Sequence, residues 1–268
     1  MSSNQRVPDW INVLLLGAIE GVTEFLPISS TGHLIIAERL LGYRTDLFNT
    51  VIQTGAVLAV VLVFWKRLKQ LFTQLNDPAA QDYILKLVTA FVITGIGGIV
   101  LKKFHYKLPQ TAVPVAWATL IGGVLIIAVE AWLRKRPLAD RITWGVAIVI
   151  GLAQLVAAIF PGTSRSGATI LAALALGVNR PLAAEFSFLL GVPTLLSAGA
   201  LQVYTAQREG VTIEWGSVMV GFVAAAVTAF VAVKWLLRYV QTHTFTIFGY
   251  YRIVLGLVIL GLAYFTQF

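Results

Sequence analysis

Two short stretches concentrate the side chains able to do chemistry. The first runs from Glu20 through Glu24, Pro27, Ser29, Ser30, Thr31 and Gly32 to His33. Glu20 and Glu24 are four residues apart, so on a helix they share one face. Two carboxylates inside an apolar segment are costly, and such a pair either keeps a proton on one member or recruits a cation. Pro27 stops the helix and Gly32 lets the backbone curve, so Ser29, Ser30 and Thr31 can present hydroxyls and amide N–H groups to an oxyanion. His33 and the two glutamates supply bases for a hydroxyl nucleophile. Taken alone, the Ser-Ser-Thr run also suits a helix cap.

The second stretch reads Phe160-Pro161-Gly162-Thr163-Ser164-Arg165-Ser166-Gly167-Ala168-Thr169. A guanidinium offers a fork of donors matched to phosphate or carboxylate oxygens and cannot shed its charge, so Arg165 calls for an anion. Its structural alternative is an ion pair with Glu20, Glu24 or Glu185. Glu185, ahead of Phe186-Ser187-Phe188, and Gln53 in the first half are placed to face the same region. Glu130 reads as a surface partner of Arg134, four residues on. His105 and His243 belong to no constellation.

The elements that position these stretches are set by composition. Of 268 residues, 58% are hydrophobic and 12% charged, and the charges fall between long apolar runs, so much of the surface faces lipid. Six runs have the roughly 20 apolar residues needed to span a bilayer: about 47–65, 84–102, 112–133, 186–204, 217–236 and 248–266. Two more, about 10–41 and 142–177, are broken near the middle by the stretches above and read as re-entrant hairpins. Broken backbone at membrane depth is tolerated where protein or a water-filled cavity surrounds it.

The chain also repeats. At an offset of 134, Gly17 falls on Gly151, Glu20 on Gln154, Pro27 on Pro161 and Ser29-Ser30 on Thr163-Ser164, which sets Arg165 on Thr31. The expected fold is an all-α polytopic membrane protein of two repeats, 1–136 and 137–268, each a re-entrant hairpin plus three spanning helices. Three spans per half invert the second repeat, with the site near the midplane between them. Lys and Arg are richer in loops 66–86, 134–141 and 234–252, with Arg180, than on the opposite side, so that face is expected to be cytoplasmic and both termini outside. Lys102, Lys103 and Lys107 run against the bias.

The net charge of +8 is scattered in membrane-flanking clusters rather than one basic face, which speaks against nucleic acid. The absence of cysteine removes thiol chemistry, and no Walker or dinucleotide motif is present.

The paired stretches resemble the two signature motifs of the undecaprenyl pyrophosphate phosphatase family, also known as bacitracin resistance proteins. The likeness extends to Glu185-Phe186-Ser187-Phe188 and to Tyr251-Arg252. It implies a bacterial inner-membrane phosphatase that converts undecaprenyl diphosphate to the monophosphate carrier of peptidoglycan synthesis, assisted by a divalent cation, Mg²⁺ or Ca²⁺. Glu20, Glu24, Ser30, His33 and Arg165 would lie at the chemistry, with Ser29, Thr31, Ser164, Ser166 and Thr169 around the diphosphate. Glu20 and Glu24 are the expected cation site, and Ser30, or a water, the nucleophile, with His33 or Glu24 as base. The rival reading from the same architecture is a secondary transporter or flippase of polyprenyl phosphate. A homodimer is left open.

Overall fold

The structure is a computed structural model that describes residues 9–104 and 111–266. His105 and Lys107 lie outside the described residues. Every regular element within them is helical.

Six helices are long and apolar enough to cross a membrane: α3 (Asp46–Val63), α5 (Pro78–Lys103), α6 (Ala112–Leu133), α9 (Arg180–Arg208), α10 (Trp215–Tyr239) and α11 (Thr246–Thr266). Four are too short at 1.5 Å per residue to span a core of about 30 Å. These are α1 (Asp9–Glu24) with α2 (Ser30–Leu41), and α7 (Trp144–Ile159) with α8 (Arg165–Ala175), and each pair is a helix, a break and a second helix. The protein is therefore a polytopic all-α membrane protein with two broken hairpins. The expected boundaries hold to within six residues, the largest differences being the earlier starts of α5 and α9.

One element was not anticipated. Residues 66–86 are not a plain loop, because α4 (Trp65–Thr73) continues α3 after a break at Phe64. It is amphipathic, with Leu71 buried and Lys66 and Lys69 exposed, the pattern of a helix lying along an interface. Most of the supposed loop 234–252 is likewise helix, the end of α10 and the start of α11.

Helix starts follow local chemistry. Thr45, Asp77, Thr143 and Asn179 each accept a backbone N–H at the head of α3, α5, α7 and α9, filling donors that a first turn leaves open.

Packing pairs elements across the two halves. α1 lies along α10 and α7 along α5, α3 meets α9, and α6 runs beside α11. Glycine permits the first two contacts. A Cβ on Gly17 would fall 2.3 Å from the Gly221 carbonyl oxygen, and one on Gly151 would fall 2.9 Å from that of Ala90. Small residues let backbones approach where lipid supplies no hydrophobic drive between helices. The buried core gathers Phe25, Phe64, Phe186 and Phe188 beneath the first hairpin break.

The expected Glu130–Arg134 surface pair does not form. Glu130 is buried, receives Arg180 at 2.5 Å and accepts the backbone N–H of Phe245 at 2.7 Å. A carboxylate turned into the bundle needs a partner there, and the head of α9 supplies one.

Candidate active site

Both breaks end on a strained serine. Ser29 (φ 74°) and Ser164 (φ 67°) are the two non-glycine residues of positive φ among the described residues. Such a backbone costs on the order of 1–3 kcal/mol, persists only when its surroundings enforce it, and clusters at functional sites. Each serine caps the helix it opens: Ser29 Oγ accepts from Gly32 N–H at 3.2 Å and Ser164 Oγ from Gly167 N–H at 3.1 Å. The cap reading of Ser29 is thus correct.

This geometry corrects the alignment of the halves. Ser29 matches Ser164, so Arg165 is the counterpart of Ser30 and not of Thr31. The reason is one extra residue: Ile28 alone separates Pro27 from its cap, whereas Gly162 and Thr163 follow Pro161. Ser30 and Arg165 are each the first residue of the second helix in their hairpin.

Glu24 joins these two positions. Ser30 Oγ donates to Glu24 Oε2 at 2.9 Å, while Arg165 Nε and Nη2 reach Glu24 Oε1 at 3.4 Å. Arg165 also donates to the Ser187 carbonyl at 3.4 Å and lies 5.3 Å above the Phe25 ring. All three hydrogen bonds exceed the usual 2.7–3.2 Å, so the guanidinium is held loosely and phosphate oxygens can take over its donors. Glu24, Ser30 and Ser29 are buried.

The surrounding hydroxyls tie the hairpins together. Ser166 Oγ, fully buried, donates to the carbonyls of Glu24 and Leu26 at 3.1 and 3.2 Å. Ser164 Oγ lies 3.2 Å from Ser166 Oγ, and Thr169 Oγ1 lies 2.5 Å from Ser187 Oγ.

Glu20 is buried with neither carboxylate oxygen hydrogen-bonded, and its polar neighbours are Glu24 and Gln53. An uncompensated buried carboxylate calls for a proton or a cation, and hard oxygen donors of this kind suit Mg²⁺ or Ca²⁺. No group of three or more acidic, histidine or cysteine side chains forms a ready cation cage among the described residues. Mg²⁺ does not require one, since it is commonly held by one or two carboxylates with substrate phosphates and water.

Three expected site residues are placed elsewhere. Thr31 is exposed and makes no hydrogen bond to the cluster. Glu185 accepts from Arg67 at 3.0 Å and from Tyr83 Oη at 3.1 Å; Arg67 and Tyr83 line a separate polar cavity of about 590 Å³. The physical reason is helical phase: Ser187 on α9 faces Thr169, and a residue two positions away points to the opposite side. His33 does not address Ser30. Its Nδ1 bonds the Ser29 carbonyl at 2.7 Å and its Nε2 meets Tyr251 Oη at 2.6 Å, because bonding a carbonyl four residues back swings the ring towards α11.

Thr119 is not marked by the sequence, and Arg252 enters there only through the family likeness, with no role attached. Thr119 on α6 lies 3.3 Å from Ser29 Oγ and 3.2 Å from the Gly162 carbonyl. Arg252 is buried within α11 and not in a basic loop; it donates to the carbonyls of Pro27, Gly162, Thr163, Ala118 and Thr119 at 2.8–3.4 Å. A lone arginine in an apolar run was the available signal.

Fold and site together define a polytopic membrane protein with an oxyanion-suited polar centre built from two broken hairpins. The chain belongs to the family described as Bacitracin resistance protein BacA, whose profile matches residues 13–258. It is 52% identical over 258 residues to the undecaprenyl-diphosphatase of Rhizobium johnstonii, covering 95% of this chain and 97% of that protein. A protein of the same name from Xylella fastidiosa strain 9a5c is 51% identical over 250 residues, 92% of this chain and 96% of its own. That from Xanthomonas axonopodis is 51% identical over 255 residues, at 94% and 96%.

Proposed function

We propose that this protein is an undecaprenyl-diphosphate phosphatase of the bacterial inner membrane, releasing inorganic phosphate and returning the monophosphate lipid carrier, with bacitracin resistance as a consequence. The observation that carries the reading is Glu24 shared between Ser30 of one hairpin and Arg165 of the other, in a chain about half identical over most of its length to undecaprenyl-diphosphatases.

The diphosphate draws Arg165 away from its long contacts with Glu24, and the guanidinium then stabilises charge on the transferring phosphoryl group. Glu24, released on that side, takes the proton of Ser30. The Ser30 oxygen bonds to the terminal phosphorus as the anhydride bond to the lipid phosphate breaks; water then cleaves the phosphoserine. Ser29 and Ser166 hold the hairpin ends fixed while this happens. Glu20 and Glu24 are the residues that would hold a divalent cation, which supplies charge neutralisation for the diphosphate. An apolar groove of about 300 Å³ between α6, α7 and α8, with Thr163, Gly167 and Arg252 at its inner end, suits the start of the isoprenoid chain.

The two halves, 1–136 and 137–268, are read as inverted repeats, supported by the reciprocal pairing of α1 with α10 and α7 with α5. The face richer in Lys and Arg is read as cytoplasmic and both termini as outside, supported by that charge bias alone. Names of the relatives do not favour the transporter alternative.

The deciding measurement is phosphate release by the purified protein from a polyprenyl diphosphate in Mg²⁺ or Ca²⁺. Release with a trapped phosphoserine at Ser30 is expected. A Ser30→Ala variant with near-normal turnover would remove serine from the mechanism, and no release from folded wild-type protein would reject the phosphatase reading.

A further inference from the structure

His33 is engaged at both ring nitrogens. Nδ1 faces the Ser29 carbonyl at 2.7 Å, and a carbonyl can only accept, so Nδ1 carries the hydrogen. In the neutral ring Nε2 is then the acceptor, and Tyr251 Oη, at 2.6 Å, donates to it. The two rings lie nearly parallel, 5° apart in plane with centroids at 5.6 Å. Other elements around α2 offer no competing partner: from α1, Glu24 is taken up by Ser30 and Arg165, and from α6, Thr119 reaches Ser29. On α11 the neighbouring Arg252 is spent on backbone carbonyls. Tyr251 is thus the one side chain hydrogen-bonded to the His33 ring among the described residues.

The far end of this chain of contacts is the strained residue. The Ser29 carbonyl accepts from both the backbone N–H and Nδ1 of His33, at 3.3 and 2.7 Å, while Ser29 itself holds a positive φ directly before Ser30. Whatever fixes the ring therefore fixes the peptide that aims Ser30.

We propose that Tyr251 is a positioning residue for the hydrolysis: its hydroxyl anchors the His33 ring at Nε2, and the ring, donating from Nδ1 to the Ser29 carbonyl, holds the start of α2 and the Ser30 nucleophile in register with Glu24. The proposal rests on the phosphatase reading above. It gives His33 a supporting task in place of the general-base task expected from sequence. Carboxylate or carbonyl partners orient histidine rings at metal sites in the same manner; here the Ser29 carbonyl sets the tautomer and a tyrosine 218 residues away holds the ring's other nitrogen.

Tyr251→Phe keeps the ring and deletes the donor. Tyr251 is 46% exposed, so the variant is expected to fold with unchanged thermal stability. Its kcat should fall about tenfold, the worth of one hydrogen bond to a functional group, with KM altered less than about twofold. Nitrogen-15 NMR of histidine-labelled protein, with His33 assigned by loss of its signals in His33→Ala, should show an Nδ1–H ring whose Nε2 accepts a hydrogen bond in the wild type, and a shifted Nε2 signal once that bond is lost in Tyr251→Phe. In the double variant the losses should not add. Unchanged ring-nitrogen signals in Tyr251→Phe, or fully additive losses, overturn the proposal. A wild-type protein that releases no phosphate rejects the phosphatase reading instead, and the ring-nitrogen signals still decide whether Tyr251 holds the ring.

Discussion

The two hairpins share a backbone plan and differ in what they carry. In the first, α1 brings Glu20 and Glu24 and α2 opens on Ser30 with His33 a turn later. At the matching places of the second stand Gln154, Ala158, Arg165 and Ala168. Gln154 is tied to Thr94 of α5 at 2.8 Å, whereas both oxygens of Glu20 lack a hydrogen-bond partner. The conformational device, a serine at positive φ capping the second helix, is kept in both. The lesson is that the shared strain builds the platform, while a single exchange at the first residue of the second helix separates the proposed nucleophile from the proposed anion anchor.

The sharpest way to break this contrast is to remove the two first residues in turn. Ser30→Ala should lower kcat by at least about 10³-fold with KM nearly unchanged, since it deletes the proposed attacking atom. Arg165→Ala should cost about 10²–10³-fold and raise KM as well, because the guanidinium binds before it stabilises the transition state; Arg165→Lys should recover only part, lacking the planar fork. Steady-state phosphate release checks both, and identical effects on kcat and KM would erase the division of labour.

Next in size is the link between the hairpins. Arg252→Met removes one donor from each of five backbone carbonyls. Gly162 keeps Thr119 and the two in α6 keep their helical donors, so a loss of several kcal/mol is expected mainly through Pro27 and Thr163, at about 1–3 kcal/mol for each buried acceptor left unsatisfied. Thermal unfolding in detergent reads it.

The smallest effects concern the scaffold both halves share. Gly17→Ala and Gly151→Ala should each lose about 1–3 kcal/mol through overpacking against α10 and α5. Gly98→Ala, with nothing within 4 Å of the added Cβ, should be nearly neutral in the same unfolding assay.

Much of this was legible in the chain itself. Apolar runs bounded by charge marked all six spans, and Pro27 and Pro161 marked both breaks, because lipid leaves a long apolar segment no alternative to helix. Glu24, Ser30 and Arg165 stood out because ionisable and hydroxyl groups are scarce in such a chain. What escaped was contact between distant helices. Nothing near His33 names Tyr251 as its partner, nothing near Glu130 names Arg180, and helical phase alone turned Glu185 towards Arg67. The register of Arg165 was missed because one inserted residue, between Pro161 and its cap, leaves the pattern of small and hydroxyl residues almost unchanged.

Arg252 carries one further consequence. A carrier that moves cargo by rocking one half against the other must let its hairpin tips part. Here a single cation grips Pro27 of one tip and Gly162 and Thr163 of the other, and separating them would strip a buried charge of some of its five acceptors, at a cost of several kcal/mol. The bilayer itself thus acts as a lock on the two tips.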